Sequence, residues 1–297
     1  VSSRQDGRKE QAESAVSAQR RPWIVGVSGA SGTPYAAAVL RALLAAGESV
    51  DLVVSRASRL TLLDETGIAF RDAHWRDDLR EWLARGADGK PYPFPPGSAG
   101  GPGSDDGPGS DGGPVSGGAP GSDGGPVSDG GPVSGGGPGS DGGPRSAGEA
   151  APGLGDVRYW AAGDLAAGPS SGSYQAKGML IVPASTACVA GVALGLSKDL
   201  LQRAASVTLK EGRRLVVAVR ETPLNGQTLK HLVTLDDAGA IVLPASPAFY
   251  AGATHIQDLV DFVAGRVLDA AGVPHRLYRR WEGELGGGAR DTGDTGV

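Results

Sequence analysis

Apolar positions along the chain fall into short clusters of two alternating kinds. Trp23-Ile-Val-Gly-Val-Ser28 is a run of strand length, and residues 34–46 then carry apolar side chains at helical spacing, closed by Gly47. Val50–Val54 predicts a second strand and Ser58–Thr66 a second helix. After a long interval the alternation resumes. Met179-Leu-Ile-Val182 predicts a buried strand, followed by an alanine-rich helix over about Thr186–Leu194. A helix over Asp199–Glu211, a strand at Arg214–Val219, a helix near Asn225–Asp237 and a strand at Ala240–Leu243 come next. A long helix over about Ile256–Ala271 stops at Gly272-Val-Pro274. Strands alternating with helices predict an α/β fold around a doubly wound, mostly parallel sheet. Ligands of such sheets bind outside the carboxyl ends of the strands.

The interval has its own period. From Gly101 to Gly148 a proline stands at every sixth position, from Pro102 to Pro144, in eight hexads rich in Gly, Ser and Asp. A β-solenoid would need an aliphatic residue in every hexad, and collagen would need glycine at every third position. The array offers neither, so it is expected to be a disordered low-complexity insertion. It divides the chain into a disordered tail at 1–21, a first domain part at 22–96, the insertion at 97–153, a second domain part at 154–285 and a disordered tail at 286–297.

Charge sharpens this division. The array holds six aspartates and one arginine, so its net charge of −5 equals that of the whole chain, and the remaining residues balance. A basic face for nucleic acid is therefore not expected. One cysteine, Cys188, excludes a disulfide framework and a cysteine-rich zinc site. No apolar run reaches the roughly 18 residues of a membrane span. The N-terminal residues lack the apolar centre of a signal peptide, and a cytoplasmic location is expected. The four histidines show no ligand spacing, and no metal is expected.

Candidate chemistry lies at the predicted strand ends. Gly26-Val-Ser-Gly29-Ala30-Ser31-Gly32 has the spacing G-x-x-G-x-x-G, which favours a phosphate or flavin over a dinucleotide. A tight turn without a ligand fits the same residues. The second strand ends in Ser55-Arg56, without the acidic residue that would hold a ribose. Pro183-Ala-Ser185-Thr186 repeats the junction with hydroxyls, which also suit plain helix caps. Arg220-Glu221 places a charged pair after the strand 214–219, readable as a surface ion pair. Arg203 and Lys210 share one helix face, and Tyr250 and Arg266 complete the set. Each of these also reads as ordinary packing or a solvated surface.

Together these segments resemble the flavin prenyltransferase family, the UbiX type. The resemblance runs over about residues 24–69 and 173–281. It is carried by Gly-Val-Ser-Gly-Ala-Ser-Gly-Thr-Pro-Tyr (26–35), Val-Ser-Arg-Ala-Ser-Arg-Leu-Thr-Leu-Leu-Asp-Glu-Thr (54–66), Arg-Ala-Ala-Ser-Val-Thr-Leu-Lys-Glu (203–211), Val-Arg-Glu-Thr-Pro-Leu (219–224) and Leu-Pro-Ala-Ser-Pro-Ala-Phe-Tyr (243–250). It implies a Rossmann-like flavoprotein sheet and the joining of a dimethylallyl group, from dimethylallyl phosphate, to N5 and C6 of reduced FMN without a metal. FMN would contact Gly29, Ala30, Ser31 and Ser55, with its phosphate side at Ser185, Thr186, Ala187, Cys188 and Arg220. The family often has a hydroxyl where Cys188 stands. Arg203, Lys210, Tyr250 and Arg266 would hold the prenyl phosphate. Glu65, Glu221, Lys210 and Ser31 would belong to the catalytic set, with Trp160, from a loop past the array, beside the prenyl group. The resemblance also implies a homo-oligomer, a dodecamer, and a UbiD-type decarboxylase as recipient of the product. A flavin-dependent cysteine decarboxylase of the same fold group would carry Pro-x-Met-Asn where this chain has Pro183-Ala-Ser-Thr. A non-catalytic FMN-binding protein would not need Lys210, Glu221, Tyr250 and Arg266.

Overall fold

The computed structural model describes residues 21–94, 155–281 and 283, so the hexad array, with the tails assigned to 1–21 and 286–297 apart from Arg21, lies outside the described residues. Six strands form one sheet: β1 (Trp23–Val27), β2 (Val50–Val54), β3 (Val157–Ala161), β4 (Gly178–Ala184), β5 (Arg214–Val219) and β6 (Ile241–Pro244). Their order is β3-β2-β1-β4-β5-β6 and every pairing is parallel. The helices are α1 (Thr33–Ala45), α2 (Arg56–Thr66), α3 (Trp75–Leu83), α4 (Thr186–Ala193), α5 (Leu200–Lys210), α6 (Gly226–Asp237) and α7 (Ile256–Ala271).

Strand periodicity sorts the core into two layers. Val25, Val27, Leu52, Val54, Leu180, Val182, Val216 and Ala218 face α1, α3 and α7. Their alternates Ile24, Val53, Met179, Ile181, Leu215 and Val217 face α4, α5 and α6. Both sheet faces are covered, which is why the strands read as continuous apolar runs without alternation.

The apolar pattern does not predict two of these elements. In α3, only Leu79, Trp82 and Leu83 are apolar core residues among the charges of Trp75–Leu83. Strand β3 follows the array directly and is held by tertiary partners. Val53 pairs with Trp160, and the Tyr159 hydroxyl meets both Asp72 and Arg59, the latter at 2.9 Å. The Tyr159 ring lies between Phe70 and Trp75, at 5.5 and 5.7 Å between centroids. An edge strand fixed by such contacts needs little apolar signal of its own.

Candidate functional site

The winding of the sheet changes direction between β1 and β4, and the carboxyl ends of the strands there border the crevice expected to take a ligand. Four chain junctions converge on this edge: Ser28–Gly32 after β1, Ser55 after β2, Ser185 after β4 and Arg220-Glu221 after β5. Gly29, Ala30, Ser31, Ser55, Ser185, Thr186, Ala187, Arg220 and Glu221 are thus brought to one edge. Ser28 ties two junctions together. Its hydroxyl donates to the Pro183 carbonyl at 2.8 Å and accepts from the Ser185 N–H at 2.7 Å. Sequence reading passed over Ser28, because a polar residue ending a strand carries no signal of a partner 157 positions away.

Close approach explains the glycine at position 29. A Cβ there would lie 2.5 Å from the Ala57 Cβ, so the β1 junction presses directly on the first turn of α2. That turn is capped by Ser55, whose Oγ accepts from the Ser58 N–H at 3.1 Å. Gly32 has φ 111°, in the left-handed region, and leads into α1.

The amino terminus of α1 is already filled by an anion of the chain itself. Glu65 accepts from the N–H groups of Gly32 and Thr33, each at 2.8 Å, and from the Thr33 hydroxyl at 2.6 Å. Burial alone would raise the pKa of this carboxyl, but hydrogen bonds from Thr33, Ser31 and Gly32 outweigh it and hold the group below its ordinary value. Tyr35, also outside the predicted set, lies within electrostatic reach of both Glu65 and Arg220, and burial is the main cause of its raised pKa.

At α4 the helix end is open. Ser185 caps it by accepting from the Cys188 N–H at 3.3 Å, which leaves the N–H groups of Thr186 and Ala187 at the positive end of the helix. Arg220 stands on the adjoining strand end, its N–H bonded to the Ala184 carbonyl at 3.1 Å. The N–H donors here adjoin the strand end that carries Arg220, whereas an anion at α1 would meet the Glu65 carboxylate. Cys188 follows in the same first turn. Its side chain is buried in the α4–α5 layer, and burial, with the charge of Asp199, pushes the thiol up to about 12. Its N–H is bonded to the Ser185 hydroxyl.

Comparison with known proteins accords with this geometry. The family model described as Flavoprotein matches residues 163–268. A flavin prenyltransferase UbiX of Streptomyces coelicolor is 71% identical over 272 residues, covering 92% of this chain and all of that one. The chain belongs to the UbiX flavin prenyltransferase family. The crystal structure of AnUbiX (PadA1) in complex with FMN and dimethylallyl pyrophosphate covers 90% of this chain and 100% of its own at TM-score 0.60 and 26% identity. A dodecameric FMN-dependent UbiX-like decarboxylase from Escherichia coli O157:H7 covers 88% and 100% at TM-score 0.59 and 26% identity.

For a flavin prenyltransferase, the phosphate set expected from the sequence is divided in a way the sequence did not reveal. Arg203 and Lys210 lie on α5, whose core residues belong to one sheet face. Arg266 lies on α7, which packs on the other face. Helices on opposite faces of a sheet have axes on the order of 20 Å apart. Lys210 also sits at the end of α5, beside the amino end of β5, whereas Glu221 follows the carboxyl end of that strand. The Arg203 Nε donates to the Ser170 carbonyl at 3.1 Å, and Lys210 pairs with Glu211 against Gly172. Tyr250 and Arg266 do come together, through Phe262 on α7 and Tyr278 beyond its end. The four residues therefore form two pairs within one chain.

Trp160 is corrected in place. It lies within β3 and not in a loop, with the Arg158 guanidinium 5.5 Å from its ring centroid. That part of its π surface already serves a cation.

Proposed function

We infer that this flavin prenyltransferase joins a dimethylallyl group to N5 and C6 of reduced FMN, with release of the donor's phosphate. The observation that carries the binding mode is the contrast between the two helix ends: α1 is filled by Glu65, while α4 is open beside Arg220. FMN would be held by Gly29, Ala30, Ser31 and Ser55 along its ring side, and by Ser185, Thr186, Ala187 and Arg220 at its phosphate. The reduced flavin supplies the nucleophilic N5 and C6.

The chain's own residues supply the rest. Tyr250 and Arg266 hold the donor phosphate, and a guanidinium there stabilises the negative charge that grows as the allylic C–O bond breaks. Arg203 and Lys210 act on the same phosphate from a neighbouring copy, since one chain separates the pairs. On this reading the site lies between subunits of a homo-oligomer, and the dodecameric relative supports such an assembly. Glu221, at the carboxyl end of β5, is placed to pass a proton to the leaving phosphate. Glu65 keeps the Ser31–Thr33 turn in shape with a fixed negative charge. Trp160, expected beside the prenyl group, has the Arg158 guanidinium near one face of its ring, which leaves the allylic cation the opposite face. The product is expected to serve a UbiD-type decarboxylase in the cytoplasm. Among the described residues no helix is long and apolar enough to cross a membrane.

The test is anaerobic incubation of the purified chain with reduced FMN and either dimethylallyl phosphate or its diphosphate, followed by mass spectrometry of the flavin. Addition of one five-carbon unit is expected. An unmodified flavin with both donors, from folded protein, overturns the reading.

A further inference from the structure

Asp269 gathers more side-chain partners than any residue of the assigned site. It stands one turn after Arg266 on α7 and accepts from Arg266 Nη1 at 3.2 Å. Three residues beyond the helix meet the same carboxylate. The Tyr278 hydroxyl donates to Oδ2 at 2.6 Å, and Arg280 Nη2 donates to Oδ1 at 2.7 Å, with Nη1 at 3.4 Å from Oδ2. His275 Nδ1 accepts the Leu277 N–H at 3.3 Å, which leaves Nε2 to donate to Asp269 Oδ1 at 3.0 Å. These residues form a strap, 274–281, laid back along α7.

The helix is shaped to receive the strap. A Cβ on Gly265 would lie 2.6 Å from the Tyr278 ring and 2.7 Å from the His275 ring. The Tyr278 ring packs on Phe262 at 4.8 Å, Phe262 meets Tyr250 edge-on at 5.7 Å, and Trp281 meets Tyr250 at 6.0 Å. Both members of one phosphate pair therefore touch the strap: Arg266 through Asp269 and Tyr278, and Tyr250 through Trp281. The His275 side chain is only 3% exposed, whereas that of Arg266 is 53% exposed. The strap is anchored at its buried end and leaves the guanidinium accessible.

We propose that Asp269 is a positioning residue for the donor phosphate, clamping the 274–281 strap onto α7 so that Arg266 and Tyr250 are held in place before the phosphate arrives. The inference rests on the reading above, in which those two residues bind the donor. Its logic is preorganisation: an exposed arginine otherwise loses rotamer freedom on binding, and a carboxylate that already orients it reduces that cost. On binding, the phosphate takes over the accessible edge of Arg266, while Tyr278, His275 and Arg280 keep the Asp269 carboxylate satisfied.

The experiment measures steady-state prenylation and FMN affinity for Asp269→Ala, Asp269→Glu, Gly265→Ala, Arg266→Ala and the double variant Arg266→Ala/Asp269→Ala, all in the full chain. Asp269→Ala is expected to raise KM for dimethylallyl phosphate about tenfold, with FMN affinity unchanged, and Asp269→Glu to recover part of the loss. Gly265→Ala, which displaces the strap without touching either charge, is expected to raise the same KM, and it keeps the test open if Asp269→Ala does not fold. The double variant is expected to lose less than the two single losses combined, because Asp269 acts in part through Arg266 and in part through the strap against Tyr250. A wild-type donor KM in folded Asp269→Ala or Gly265→Ala, while Arg266→Ala is impaired, overturns the positioning role and leaves the donor reading intact. A wild-type KM in Arg266→Ala overturns the donor reading itself.

Discussion

Glu65 and Thr33 are joined twice: one carboxylate oxygen of Glu65 accepts both the N–H and the hydroxyl of Thr33, at 2.8 and 2.6 Å. The carboxylate thereby replaces the solvent or ligand that the first turn of α1 would otherwise bind, and it couples α2 to the loop carrying Ser31. Glu65→Gln keeps the shape but turns an NH2 group toward N–H donors. It is expected to lower stability by about 1 kcal/mol, the usual scale for losing a helix cap, and to weaken FMN binding through the loosened turn. Thermal melts with flavin titration check this; an unchanged melting temperature would mean that the cap is replaceable by water.

Acid should expose a second carboxylate. Burial alone would raise the pKa of Asp269, but hydrogen bonds from Arg280, Tyr278 and His275 outweigh it and bring the group from 3.8 down to about 2. A folded-state pKa below the unfolded one adds stability above the unfolded value, and this is lost as pH falls through the folded value. The stability difference between wild type and Asp269→Asn is therefore expected to be full above about pH 5 and to close toward pH 2. Denaturant titrations across that range measure it; a difference that grows as pH falls would contradict the sign.

Separation of Lys210 from Arg266 by the sheet makes a complementation test possible. Lys210→Ala and Arg266→Ala chains, each impaired alone, are expected to regain activity when co-expressed, because some sites then take Lys210 from one copy and Arg266 from another. Random assembly of a two-copy site leaves roughly a quarter of the sites intact. Activity no higher than that of either variant alone would place both residues in one chain's site.

Replacing Gly101–Gly148 by a short Gly-Ser linker is expected to leave melting temperature and prenylation near wild type. The array holds no aliphatic residue larger than an occasional valine, such as Val115, Val127 and Val133, so it has little apolar surface to contribute to a core. Loss of activity in a folded deletion variant would assign the array a role in the reaction.

Local patterning was enough to determine most of the fold. Continuous apolar runs such as Val50–Val54 and Gly178–Ala184 report strands buried on both faces, and the glycine and hydroxyl positions after them mark the ligand edge. These signals survive in one dimension because burial and turn geometry act on neighbouring residues. Strand β3 escaped that reading, since Tyr159 and Trp160 are fixed by partners on β2, α2 and the 70–75 segment. Only the tertiary structure decided that Glu65 fills the end of α1, that Ser28 bridges to Ser185, and that Arg203 and Lys210 lie across the sheet from Arg266. Strand order and the choice of sheet face are set by long-range packing of one apolar run against another. The sequence of any single segment carries no record of which neighbour it will meet.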